Sequence, residues 1–115
     1  MMFQANEWRD FSGGLVSFSP KARSAWHTHP KGQTLIVIDG EIYTGTQGGI
    51  VQVAHKGDVI SCPPNVKHWH GAGESQSGAH IALTSEVNGK NVVWLEKVSD
   101  EEYKNALKKA SKFDQ

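Results

Sequence analysis

Two short stretches hold most of the side chains that could do chemistry. "WHTHPKGQ", Trp26 to Gln33, carries His27 and His29, and "KHWHG", Lys67 to Gly71, carries His68 and His70. Histidine is the commonest metal-ligating side chain at neutral pH, and residues i and i+2 lie on one face of an extended strand, so each pair can share an ion. Four of the six histidines fall in such pairs, which is not how isolated surface histidines are distributed. His70 shares a face with His68 but stands one pleat along, and it reads as a support behind a ligand. His80, in "AHIALTS", follows His68 by twelve residues. If it faces inward, strand parity turns Ala82 and Thr84 inward too, and such small side chains leave room beside a metal. An imidazole there, with an ordinary pKa of about 6.5, is a candidate general base or acid. His55, in the polar turn "AHKGD", reads as surface. Cys62 has no second cysteine to pair with; it reads as a buried strand residue, not a nucleophile.

Such side chains need a frame, and the length sets its scale. With 115 residues, a single domain over 1–115 is expected, its barrel core at about residues 14–96. Twelve basic and twelve acidic residues cancel, so no global field would draw in nucleic acid or an anionic membrane. The N-terminal "MMFQANEWRD" lacks the apolar run of a signal peptide, and no stretch approaches the roughly 20 apolar residues of a membrane span. A soluble, cytoplasmic protein is therefore expected, with no nucleic-acid or membrane partner.

The positioning elements are β-rich runs punctuated by glycine and proline: "GLVSFS", "SAWHTH", "TLIVID", "EIYTGT", "IVQVA", "DVISC", "KHWHGA", "HIALTS" and "VVWLE". This spacing predicts an antiparallel sandwich or barrel and not a βαβ fold. Asp39-Gly40 predicts a tight hairpin turn between two of the runs. One helix is expected, over 99–113. Ser99 is its N-cap, Glu102 completes a capping box, acids lead and lysines follow. Tyr103, Ala106, Leu107, Ala110 and Phe113 form one apolar stripe, as in a lid packed on the barrel.

The two histidine blocks extend into longer patterns. Lys21 is followed after five residues by His27-Thr28-His29, after three by Gln33 and after six by Gly40; Gly57 is followed after five by Pro63, then Asn65 and, after two, His68. This resembles the two-motif signature of the cupin superfamily, across Pro20 to Ala72. The resemblance implies an all-β cupin fold, a double-stranded β-helix or jelly-roll barrel, here with a short C-terminal α-helix. It also implies one divalent metal ion held by His27, His29, the residue at position 33 and His68. Lys21 and Asn65 stand where the signature has glycine, Ala72 where it has asparagine, and Gln33 where it has a carboxylate. Asparagine tolerates positive φ better than other non-glycine residues. "AWHTHPKGQTLIVIDG" with "PPNVKHWHGA" is most similar to a small-cupin subgroup that includes manganese-containing hydroxynitrile lyases, in which the acidic ligand is a glutamine and a histidine matching His80 lines the active site.

A neutral amide at position 33 would leave the +2 charge of the ion uncompensated, making it the stronger Lewis acid. Manganese is expected first, from the resemblance; iron, nickel or zinc also suit a nitrogen-rich donor set. The expected function is that of a metal-dependent lyase acting on a small hydroxy or carbonyl compound, with His80 moving the proton. An iron-dependent dioxygenase and a non-catalytic small-molecule binder are the alternatives. Parity puts Trp26, Thr28 and Trp69 on the face away from the ligands, where two tryptophans need a cover. The C-terminal helix or a second subunit would serve. A homodimer is expected, with the segment holding Phe3, Trp8 and Phe11 offering an edge strand to the partner.

Overall fold

The β-branched, glycine-punctuated runs form eight strands: β1 (Phe11–Phe18), β2 (His27–Thr28), β3 (Gln33–Thr46), β4 (Val51–His55), β5 (Val59–Cys62), β6 (His68–Gly71), β7 (Gly78–Ser85) and β8 (Val93–Trp94). One helix, α1 (Asp100–Phe113), follows. This is a computed structural model; it describes residues 1–113, with side chains up to Ala110. β3 organises the rest. Its first half pairs with β7 on one side and β5 on the other, and β1 adds beyond β7. Its second half pairs with β4 and β6, and β2 and β8 continue from β6. All these ladders are antiparallel, and the two sheets, joined through β3, form the jelly-roll barrel that was expected.

The predicted hairpin at Asp39-Gly40 is not there. Both residues lie inside β3, paired with Ala79 and Gly78 of β7, and the register slips between Val37 and Asp39. Gly40 does have the positive φ, 62°, that the dipeptide signals. The same conformation that closes a two-residue turn also makes a β-bulge. Here the bulge bends β3 so that one strand passes from the first sheet to the second. A Cβ at Gly40 would run into the carbonyl of Ser77.

Lys21 and Asn65, which replace glycines of the signature, both keep left-handed backbone, with φ of 72° and 60°. Their amides are bonded, Lys21 N to Gly73 O at 2.8 Å and Asn65 N to His29 O at 2.9 Å. The turns therefore persist without the glycines. A non-glycine L-residue in this region costs about 1–2 kcal/mol, less for asparagine.

Between the sheets Leu35, Val37, Ile42, Ala54, Ile60, Cys62 and Ala82 form the main core, with Phe18 packed against it. A second cluster, Trp26, Trp69, Val98 and Tyr103, lies beneath α1 together with Tyr43, Ala106 and Leu107. The helix is capped as its sequence indicates: Glu102 N donates to Ser99 Oγ at 3.1 Å and Ser99 N to Glu102 Oε1 at 2.9 Å. Tyr103 Oη donates to Ala72 O at 2.6 Å, pinning the helix to the barrel. Burying a tryptophan is worth on the order of 4 kcal/mol or more. The cover that Trp26 and Trp69 require is thus α1 of the same chain, so these residues do not call for a second subunit. The side chain of Phe113, expected on the apolar stripe, lies outside the described residues. The N-terminal arm pairs with its own chain through a Phe3–Gly13 bridge. Gly13 has no side chain, so the Phe3 ring can lie over it, with the Arg9 guanidinium 4.2 Å above that ring. No helix among the described residues is long and apolar enough to cross a membrane.

Candidate metal centre

His27 on β2 and His68 on β6 are direct cross-strand partners, which brings their ring centroids to 4.3 Å. His29, just past the end of β2, stands 4.9 Å from His27 and 5.4 Å from His68. All three are buried. Each Nδ1 meets a main-chain carbonyl: Ala25 O at 2.8 Å for His27, Asn91 O at 2.6 Å for His29 and Val66 O at 2.9 Å for His68. A carbonyl only accepts, so each Nδ1 carries the proton and donates, which leaves each Nε2 as a lone pair.

Gln33 lies beside His29 and directly opposite Thr84 in the β3–β7 register. Its Nε2 donates to Thr84 Oγ1 at 3.0 Å, and its Oε1 is the free end. Gln33 Oε1, His29 Nε2 and His68 Nε2 are all buried without a hydrogen-bond partner. Each such orphan costs about 1–3 kcal/mol if nothing satisfies it. Several lone pairs in one cluster, without an N–H among these donor atoms, suit a divalent cation.

One ring nitrogen from each of His27, His68 and His70 lies within 4.8 Å of the other two, so these three buried histidines could hold a metal ion. Parity along β6 puts His70 on the same face as His68, and the structure brings a ring nitrogen of His70 within that distance of His27 and His68. His80 faces inward, as do Ala82 and Thr84, in agreement with strand parity. It does not, however, stand in the front row. His80 Nε2 is 3.0 Å from His70 Nδ1, and Phe18 lies 5.9 Å from both rings. His70 Nε2 and His80 Nδ1 remain without partners. Here imidazole meets imidazole, and the proton between them is not fixed by a carbonyl as it is in the other three histidines. His55 is exposed and pairs with Glu41 Oε2 at 3.1 Å, the surface role expected.

Burial dominates the electrostatics. It lowers His27 to about 4, against a bond to the Ala25 carbonyl that works the other way. It lowers His80 to about 4 as well. His29 and His68 are lowered, and His70 falls well below the usual imidazole value, with the neighbouring histidines adding to the effect. All five are neutral at pH 7, the state in which a histidine binds a metal or accepts a proton. The Cys62 thiol is pushed up to about 11 by burial, which removes it as a nucleophile. A cavity of about 490 Å³ reaches His68, with Thr44, Ile50, Cys62, Pro63 and Val66 among its walls. Trp94, on edge strand β8 and largely exposed, lies 4.9 Å from the His27 ring.

The pattern of the family described as Cupin domain matches residues 14–84. The chain is 46% identical over 103 residues, 90% of its own length and 79% of the other protein's, to (R)-mandelonitrile lyase of Granulicella tundricola. A cupin-like protein from Thermotoga maritima superposes with a TM-score of 0.80 at 40% identity, covering 84% of this chain and 73% of that one. A conserved protein with a double-stranded β-helix domain from Klebsiella pneumoniae gives 0.65 at 26% identity, over 76% of each chain.

Proposed function

Because the chain belongs to the cupin family and carries a buried cluster of neutral imidazoles, we propose that it is a metal-dependent hydroxynitrile lyase, cleaving a cyanohydrin to an aldehyde and hydrogen cyanide. The observation that carries this reading is the set of unpartnered donor atoms on His29, Gln33 and His68. The likeness to a mandelonitrile lyase supports the reaction.

His27, His29, Gln33 and His68 would hold the ion, manganese first, with iron, nickel or zinc as alternatives. In three of these residues a main-chain carbonyl fixes the donor nitrogen, whereas His70 can exchange its proton with His80 and is better suited to moving one. When bound, the ion would supply Lewis acidity, favouring ionisation of a hydroxyl group brought beside it. His70 Nε2 takes the hydroxyl proton of the cyanohydrin. His80 Nε2 accepts the hydrogen bond from His70 Nδ1 and steadies the imidazolium that forms. The oxygen electron pair becomes the carbonyl π bond, the carbon–cyanide bond breaks, and cyanide leaves with its electrons and recovers the proton from His70. The imidazolium gives that proton up readily because burial disfavours it. The cavity beside His68, walled by Ile50, Pro63 and Val66 with the Thr44 hydroxyl among them, offers an apolar seat for the organic group of the substrate.

The test is release of benzaldehyde from mandelonitrile by protein loaded with Mn²⁺. The reading expects cleavage that stops on chelation and returns when Mn²⁺ is restored. A fully loaded protein that leaves a panel of aromatic and aliphatic cyanohydrins at the buffer rate would refute it.

A further inference from the structure

Resting on the reading of Gln33 as a donor to the ion, we propose that the Thr84 hydroxyl is the positioning group that makes Gln33 a ligand, by holding its amide with the oxygen toward the histidines. A glutamine side chain ends in two groups of nearly equal shape and opposite function, an acceptor oxygen and a donor NH₂. A half-turn about the last bond exchanges them. With the NH₂ toward the histidines, Gln33 would donate to a bare Nε2, and His29 beside it is the nearest candidate. That would consume the lone pair an ion needs and put a hydrogen in its place. The observed arrangement avoids this. Gln33 Nε2 is spent on Thr84 Oγ1 at 3.0 Å, and Oε1 is left free and buried.

The pairing is built into the fold. Gln33 and Thr84 are directly opposite residues of β3 and β7, so their side chains stand side by side on the same face of the sheet. Thr84 is itself buried, and its β-branched side chain has few rotamers open to it in a strand. A valine there would keep the shape and lose the acceptor. The buried NH₂ would then have no partner on the Thr84 side, and turning toward His29 would satisfy it.

The experiment is titration of metal-free protein with Mn²⁺ alone, comparing dissociation constants for Thr84→Val, Thr84→Ser, Gln33→Ala, Gln33→Glu and the double variant Gln33→Glu/Thr84→Val. Thr84→Val is expected to weaken Mn²⁺ binding by about 10–100-fold, the range seen when a group supporting a ligand is lost, and Thr84→Ser to restore it. A carboxylate presents oxygen whichever way it turns, so adding Thr84→Val to Gln33→Glu should change the affinity little. Should Gln33→Ala bind Mn²⁺ as tightly as the parent, Gln33 is no ligand and the reading beneath the proposal fails with it. Loss of affinity in Gln33→Ala without loss in Thr84→Val overturns the proposal alone. So does an equal loss from Thr84→Val in the Gln33→Glu background, because the effect would then be one of packing. Circular dichroism on each preparation separates a weakened site from an unfolded chain.

Discussion

His80 Nε2 stands 3.0 Å from His70 Nδ1, their rings 4.8 Å apart and edge to face, in the closed interior of the barrel. If the pair moves the substrate proton, His80→Ala should lower kcat by about 10²–10⁴-fold while bound metal stays near one ion per chain. The pH dependence adds a second readout. A free histidine would lose its basic form below about 6.5, but burial lowers His80 to about 4. His70, which takes the proton, is lowered well below the ordinary imidazole value too, so the rate should stay level through about pH 6.5 and an acidic limb should appear only below it. If the variant keeps its rate per bound metal and instead loses about 1–3 kcal/mol of stability, His80 is a structural histidine.

The same lowered values govern the stability of the metal-free protein. Where the folded pKa lies below the unfolded one, the unfolded chain binds more protons between the two, so stability is full above about 6.5 and is lost as pH falls toward about 4. His27 and His80, each lowered to about 4, contribute about 3 kcal/mol apiece across that window at about 1.4 kcal/mol per unit. Urea unfolding of chelator-treated protein should give a flat stability from pH 8 to 7 and a steep decline from 6 to 4.5. A stability independent of pH over that lower range would mean that the histidines are not held neutral by burial.

Much of this was legible because the signals were local. The capping box of Ser99 and Glu102, the parity that turns His80, Ala82 and Thr84 inward, and the i, i+2 histidine pairs depend on neighbours in sequence. What was misread depended on pairing across the chain. Asp39-Gly40 specifies a positive φ, but only the β7 partners Ala79 and Gly78 decide that it forms a bulge and not a hairpin. His70 meets His80 because β6 and β7, in different sheets, face each other across the barrel, and no spacing within "KHWHG" reports that. The Gln33–Thr84 bond likewise arises from a register between residues 51 positions apart.

Lys21 offers a test of strain outside the site. Its φ of 72° costs about 1–2 kcal/mol for an L-residue, and glycine gives back about 0.5–1 kcal/mol of that through the greater freedom of the unfolded chain. Lys21→Gly should therefore stabilise the protein by about 0.5–1 kcal/mol in denaturant titration, with Mn²⁺ binding unaltered. A loss of stability would show that the side chain contributes more than its backbone conformation costs.

The ligand set is tested most directly by the Mn²⁺ bound per chain after reconstitution and desalting, compared between His29→Ala and His70→Ala. With His27, His29, Gln33 and His68 as the ligands, His29→Ala loses most of its metal and His70→Ala keeps nearly all of it. The opposite result, metal retained without His29 and lost without His70, would give the ion to His27, His68 and His70, the three histidines whose ring nitrogens lie within 4.8 Å of one another, and would contradict the proposed division between ligands and proton-moving groups.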